Sequence, residues 1–350
     1  MAKENRAAGP HALYSYVVGL AFWLLLLVPL LKPGVSLATV STSFFGDREL
    51  IGLFNTARLW LGDRAYTQAL VGNDGWLYFT TFNEIADYQR TNRFPRGTLA
   101  DFQERLDAID ARLKSKGITF LVVIPPDKAT IYPEHVPDQL KVLRGKSRLD
   151  QFVDAMRQDG TTPLLDLRPA LQEAAKTQQI YYKTDLHWNV FASYIAYTQI
   201  LSALSDRYPE LRPHPYSDYR VSATGPSTFG MPALMGVQSI KEMFWQLHPQ
   251  FNTGVHVTAI PLLDPPTQTV RFAAGPNQNL PRLLIYHDSF MPEIIRFLEP
   301  HFSTTISVFR NGDPAIWSLN WVDAVKPDIV ILEFNESYLN FPDQDLPNYK

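Results

Sequence analysis

Two short stretches carry residues that can do chemistry together. Tyr182-Lys183-Thr184-Asp185-Leu186-His187-Trp188 stands just before a helical pattern starting near Asn189, and Leu283-Leu284-Ile285-Tyr286-His287-Asp288-Ser289-Phe290 runs from an apolar segment into polar residues. A serine hydroxyl is too weak an acid to attack a carbonyl unaided and needs a base within hydrogen-bond reach. His187 is the candidate base. Asp185, two residues earlier in a turn, can hold the imidazole tautomer and stabilise the imidazolium. Ser289 falls where a buried strand ends, and active sites of α/β sheets collect at such ends. Each piece alone is weak. A D-x-H triplet arises by chance about once in two or three chains of this size, and a serine after a strand is more often a helix cap. Asp288 can equally be that cap, with Ser289 in the first helical turn.

The elements that must position these residues alternate along the chain. Ile118–Ile124 (ITFLVVI) is a short, continuously apolar run, as are Pro163–Leu167, Arg282–Tyr286, Thr305–Phe309 and Ile329–Phe334. Between them, apolar residues recur at helical spacing, for example Leu99, Phe102, Leu106, Ile109 and Leu113 within Leu99–Lys116. Further helices are expected near Arg148–Gln158, Val190–Ser205, Pro292–Leu298 and Pro314–Val325. Apolar strands separated by helices imply a parallel sheet covered on both faces, an α/β layered domain.

Composition narrows the chemistry. The 350 residues hold 45% hydrophobic and 19% charged side chains, enough for a large core and too apolar for wholesale disorder. Lys+Arg 32 against Asp+Glu 35 leaves a net charge of −3, which argues against a nucleic-acid binder. The absence of cysteine excludes a disulfide scaffold, a thiolate zinc site and a thiol nucleophile. No Gly-rich phosphate loop, HExxH or HxH occurs, so neither a catalytic metal nor a cofactor is expected. Aromatics at 13% are compatible with sugar stacking but are equally good core material.

Three segments fall outside the alternation. Leu13–Leu31 is nineteen residues without a charge, preceded by Lys3 and Arg6. Its length suits a membrane-spanning signal anchor with residues 1–12 in the cytoplasm and everything after Lys32 exported. A cleaved signal is the alternative, with Ser36-Leu37-Ala38 as the processing region. Residues 32–64 read as a linker and membrane-proximal segment, and 341–350 as a C-terminal tail. Residues 208–281 hold eleven of the 27 prolines, where an even spread puts about six, so an irregular insert or lid over the sheet is expected there. Val71–Phe79 contains Asn73-Asp74-Gly75, a tight turn opening a strand, with Trp76 as a core anchor of a structural hairpin.

TDLHW followed about a hundred residues later by HDSF resembles the SGNH-hydrolase-like domain of the alginate O-acetyltransferase family, the AlgJ/AlgX type. There a T-D-x-H-W stretch supplies Asp and His, and a later G-[DT]-S-[FY] stretch supplies the nucleophilic Ser. The GNDGWLYF turn is similar to a segment near the start of that domain, and the order of features along residues 65–340 matches as well. The resemblance implies Asp185, His187 and Ser289 as the catalytic residues. It departs at His287, where the family has Gly, a position at which Gly relieves crowding in a tight strand-to-helix turn. A wall histidine or a substrate contact are the two roles open to it. Glu333 and Asn335 follow the last strand and either line the site or belong to a surface loop.

By the resemblance, acetyl groups move onto hydroxyls of an exported polysaccharide through an acetyl-Ser289 intermediate. A membrane-bound O-acyltransferase is implied as the acetyl supplier, within a polysaccharide export complex. The chain is then periplasmic and held at the inner membrane by its N-terminal helix. A secreted carbohydrate acetylesterase using the same triad is the alternative, and a non-catalytic polysaccharide-binding subunit is a third reading.

Overall fold

Strand β3 (Thr119–Ile124) shows how the apolar runs become a sheet with two covered faces. Phe120, Val122 and Ile124 join one core with Leu284, Tyr286, Val330 and Leu332. Leu121 and Val123 join a second core with Leu283, Ile285, Ile329 and Ile331. Successive side chains of a strand point to opposite faces, so a run apolar at every position is stable only when both faces are buried. The computed structural model describes residues 47–140, 142–261, 269–310 and 318–340, together with Leu20, Trp23, Leu24 and Leu346.

The strands are β1 (Ala69–Val71), β2 (Leu77–Phe79), β3, β4 (Leu164–Asp166), β5 (Tyr219–Ser227), β6 (Glu242–Pro249), β7 (His256–Pro261), β8 (Thr269–Ala274), β9 (Arg282–His287), β10 (Thr304–Phe309) and β11 (Ile329–Glu333). The α-helices are α1 (Asp47–Trp60), α2 (Glu84–Tyr88), α3 (Thr98–Ser115), α4 (Lys128–Ile131), α5 (Arg148–Gln158), α6 (Arg168–Ala175), α7 (Val190–Leu204), α8 (Met231–Leu234), α9 (Pro292–Leu298) and α10 (Asn320–Val325). The chain divides into two units. One contains α1 and Gly236–Gln238, and the other spans Arg64–Met235 and Ser239–Lys350.

The larger unit is built on a seven-stranded sheet of order β4-β3-β11-β9-β10-β8-β7. β4, β3, β11, β9 and β10 are parallel neighbours, the five strands read from the sequence. Helices α3 and α5 cover one face through Phe102, Leu106, Phe152 and Met156. Helix α7 covers the other through Ala192, Ala196 and Ile200. Truncating a fully enclosed ring such as Phe152 to alanine costs about 3–5 kcal/mol. Local chemistry fixes where these helices start. Ser147 and Asp150 form a reciprocal capping box at α5, each accepting the other's backbone N–H at 3.0 Å. Asn189 Oδ1 caps α7 through Phe191 N at 3.0 Å.

Two expectations are corrected. The sheet is not wholly parallel, because β8 pairs antiparallel with β10, and β7 antiparallel with β8. These strands come from 208–281, which is not irregular: β5 and β6 also pair, as a separate two-stranded sheet. Proline removes only one ladder donor and is tolerated at strand ends and irregularities. Pro249 and Pro261 end β6 and β7, and Pro226 falls at the register shift of β5. The helix expected over Pro314–Val325 begins at Asn320, with 311–317 outside the described residues.

The turn Asn73–Gly75 does close a hairpin, pairing β1 with β2. Trp76 is buried there, stacked on His135 with ring centroids 4.7 Å apart. Within the segment read as a linker, Asp47–Trp60 is helical. Residues 1–12, the expected span Leu13–Leu31 apart from Leu20, Trp23 and Leu24, and the tail 341–350 apart from Leu346 lie outside the described residues. Among the described residues no helix is long and apolar enough to cross a membrane.

Candidate active site

Strands β3, β11 and β9 lie side by side and end at Ile124, Glu333 and His287. The residue after β9 organises the turn that leads to α9. Asp288 N donates to Glu333 Oε2 at 2.9 Å, Asp288 Oδ1 accepts from Phe290 N at 2.8 Å, and Oδ2 accepts from Asn335 N at 2.7 Å. An aspartate accepting from the N–H two residues on makes an Asx turn, and exposed Ser289 stands at its tip. Helix α9 begins only at Pro292, so neither Asp288 nor Ser289 is its cap. Glu333 and Asn335 neither line the cleft nor form a surface loop: both are buried behind the turn. Burial and the neighbouring Asp288 carboxyl push Glu333 well above the usual carboxylate range.

His187 arrives from the other stretch. Its Nδ1 donates to Asp185 Oδ1 at 2.6 Å, and Ser289 Oγ donates to its Nε2 at 2.8 Å. A carboxylate only accepts, so Nδ1 carries the proton and Nε2 is left as the acceptor. Asp185 Oδ1 also accepts from His187 N at 2.8 Å, which fixes the ring's approach. Burial alone would raise Asp185, but hydrogen bonds from the His187 ring and backbone and the positive Lys128 nearby hold it below its ordinary 3.8. The structure thus brings all three expected residues into one hydrogen-bonded series, aspartate to histidine to serine. Such a series can take a proton from the serine as its oxygen attacks an electrophile.

His287 is buried, its φ is not positive, and its Nδ1 donates to the carbonyl of Asp288 at 2.7 Å. Burial pulls its pKa down to about 4, so it is a neutral, buried residue packed on Phe309, and it is not among the residues that line the cleft. The extra Cβ is accommodated because this backbone does not enter the left-handed region.

A cleft of about 220 Å³ opens over the series, walled by Tyr182, Phe229, Phe244, Trp245 and Phe290. Phe229, Phe244 and Trp245 come from the proline-rich segment, and Tyr182 stacks on Phe244 at 5.3 Å. Sequence reasoning missed these walls, and it missed two charged residues against the Asp185 turn. Lys128 follows the end of β3, a place where sheet sites collect. That position is a usable signal. Glu242 opens β6, 57 residues after Asp185, and no local pattern marks it. Among the described residues no group of three His, Cys, Asp or Glu is arranged to hold a metal.

An α/β sheet with Ser289 beyond the carboxyl end of β9, joined to His187 and Asp185, defines a protein with a serine-hydrolase-like site. A family model described as the SGNH hydrolase-like domain of acetyltransferase AlgX matches residues 69–260, more than half of the chain. The chain belongs to that family. The probable alginate O-acetylase AlgJ of Pseudomonas syringae pv. tomato is 26% identical over 141 residues, 40% of this chain and 34% of that protein. The match therefore spans about a third of that relative's length. A DHHW family protein from Eubacterium siraeum superposes with a TM-score of 0.59 at 15% identity, over 81% of this chain and 97% of that one. The O-acetyltransferase domain of Pseudomonas putida AlgJ gives 0.50 at 18% identity, over 78% and 92%. At these identities the two structures establish the fold.

Proposed function

We propose that this chain is an exported polysaccharide O-acetyltransferase in which Ser289 carries the acetyl group between donor and sugar. The observation that carries the reading is the series Asp185–His187–Ser289, closed at 2.6 and 2.8 Å and opening into an aromatic-walled cleft. Family membership and the O-acetylase names of the relatives support the reaction class.

In the first displacement His187 Nε2 takes the hydroxyl proton while Ser289 Oγ attacks the donor carbonyl carbon. The tetrahedral intermediate collapses, the imidazolium returns its proton to the leaving group, and acetyl-Ser289 remains. In the second, the same nitrogen takes the proton of a sugar hydroxyl as its oxygen attacks the acetyl carbon. The Ser289 oxygen then leaves and recovers the proton. Asp185, ionised at neutral pH, stabilises the imidazolium in both steps. The Ser289 backbone N–H, which no described protein group takes up, is the donor available to the oxyanion. Aromatic walls suit a sugar face and keep water from competing with the acceptor hydroxyl.

The uncharged run Leu13–Leu31 supports an exported, membrane-held enzyme. Acetyl-CoA is cytoplasmic, so such an enzyme draws on a membrane-bound O-acyltransferase and works beside the polysaccharide export complex.

Intact-mass spectrometry of the full chain with a small activated acetyl ester tests the reading. A gain of about 42 Da on Ser289, lost in Ser289→Ala and His187→Ala, is expected. Transfer of that acetyl to an added oligosaccharide separates a transferase from an esterase, which releases it as acetate. No adduct and no turnover would leave a polysaccharide-binding subunit instead.

A further inference from the structure

The turn that carries Asp185 and His187 exposes a dense set of backbone groups, and two oppositely charged side chains take most of them. Lys128 Nζ donates to the carbonyls of Tyr182 at 3.0 Å, Lys183 at 3.1 Å and Asp185 at 2.6 Å. Glu242 accepts from Lys183 N at 3.0 Å, from Thr184 N at 2.9 Å, from Thr184 Oγ1 at 2.8 Å and from Gln179 Nε2 at 3.0 Å. An ammonium has three donors and a carboxylate about four acceptor positions, so both groups are saturated by this one segment. Leu77 N and Met231 N complete the set, donating to the carbonyls of Lys183 and Thr184 at 2.8 and 3.0 Å.

We infer that Glu242 and Lys128 are positioning residues that clamp the Asp185–His187 turn in its reactive geometry. This rests on the reading of His187 as the base. Neither residue reaches the reacting atoms. Each fixes the backbone from which Asp185 and His187 project, and a misplacement of about 1 Å at a reacting group can cost 100-fold in rate. The number of donors and acceptors each carries is what suits them to the task. A glutamine at 242 has one acceptor oxygen and turns an NH2 toward N–H donors, so it cannot hold all four bonds. A methionine at 128 leaves the carbonyls of Tyr182 and Asp185 without their donor, while that of Lys183 keeps Leu77 N. Glu242 belongs to the proline-rich segment, so that segment does more than wall the cleft: it carries one jaw of the clamp.

The experiment compares Glu242→Gln, Lys128→Met and Thr184→Val with the wild-type full chain. Two readouts are taken: single-turnover acetylation by a small activated ester, and the low-field proton NMR signal of the His187 Nδ1–H bonded to Asp185. Glu242→Gln and Lys128→Met are expected to slow acetylation at saturating ester by 10- to 100-fold with little change in its KM. The low-field signal should broaden or vanish in each. Thr184→Val removes one of the four bonds to Glu242 and should show a smaller loss, and it stands in if the charge variants fail to fold. Glu242→Asp, with its charge kept and its reach shortened, should recover part of the loss. Wild-type rates with an intact signal in the folded variants would overturn the inference, as would an effect confined to KM. If the wild type forms no adduct, the acetyltransfer reading fails, and the NMR signal still decides whether the clamp orders the histidine.

Discussion

Trp188 Nε1 donates to the carbonyl of Phe290 at 3.0 Å, so the residue after the base is tied to the residue after the nucleophile. The two rings meet edge to face at 5.4 Å, and Phe290 also packs on His187 at 4.9 Å. Both side chains are buried. This bond joins segments 102 residues apart and sets the spacing across which His187 and Ser289 meet. Trp188→Phe keeps much of the ring and removes the donor. The stranded carbonyl should cost about 1–3 kcal/mol in urea unfolding, and acetylation of Ser289 should slow roughly tenfold. Unchanged stability and rate would mean that packing alone holds the two segments.

Gly230 faces Asp185 from the start of α8. Its φ is +65°, and a Cβ there would lie 2.0 Å from Asp185 Oδ2, well inside contact distance. Either the carboxylate or the 230 backbone must move. Gly230→Ala is expected to lower acetylation by 100-fold or more, with a loss of stability of about 1–3 kcal/mol. Chemical denaturation alongside single-turnover kinetics checks this. A loss of stability with an intact rate would show that the strain relaxes away from Asp185.

The larger unit buries a group of mutually interacting carboxyls: Glu84, Asp87, Asp127 and Glu336. Glu336 Oε2 accepts from Asp127 N at 2.8 Å and Thr130 Oγ1 at 2.7 Å, yet burial pushes its pKa up to about 7. Asp87 is pushed up to about 6, also by burial. The folded chain therefore holds protons that the unfolded chain releases between the ordinary carboxylate range and about pH 7. The contribution of Glu336 and Asp87 to stability therefore falls as pH rises across that window, while buried His287, pulled down to about 4, contributes in the opposite sense. Glu336→Gln removes one contributor, so its unfolding free energy should decline less steeply from pH 5 to 8. Urea midpoints at four pH values measure this, and parallel slopes for both proteins would count against the assignment.

How far the sequence reveals each feature depends on how local its signal is. The five parallel strands are readable because a strand buried on both faces must be apolar at every position, as in Thr119–Ile124. Asp185, His187 and Ser289 are readable because each sits in a short, distinctive stretch. β5 to β8 are hidden by proline density, which argues against a regular ladder until the strand ends are known. Several of the prolines fall at those ends and at the one register shift. Glu242 is illegible for a different reason. Its partners include the backbone N–H groups of residues 183 and 184, and an N–H is the same whatever the sequence. Glu333 at the end of the last strand and Asn335 just beyond it stand out, but only the fold says that they support Asp288 from behind.

Trp245 is the cleft wall with the largest free ring surface. It is 37% exposed, whereas Tyr182 is 4% exposed. Its ring packs against Phe191 at 5.9 Å, and its backbone N–H reaches the Tyr182 hydroxyl at 3.4 Å, so strand β6 holds it at the mouth. An exposed ring fixed by its backbone is suited to meet a sugar face with little further loss of freedom. Aromatic contacts of this kind are worth about 0.5–1.5 kcal/mol beyond the area they bury, so removing the ring should weaken acceptor binding several-fold to tenfold. Trp245→Ala is therefore expected to raise the KM for an oligosaccharide acceptor much more than it slows acetylation of Ser289 by a small ester. Two-substrate kinetics separates the effects. A variant that slows the first displacement and leaves the acceptor KM unchanged would place Trp245 on the donor side of the cleft.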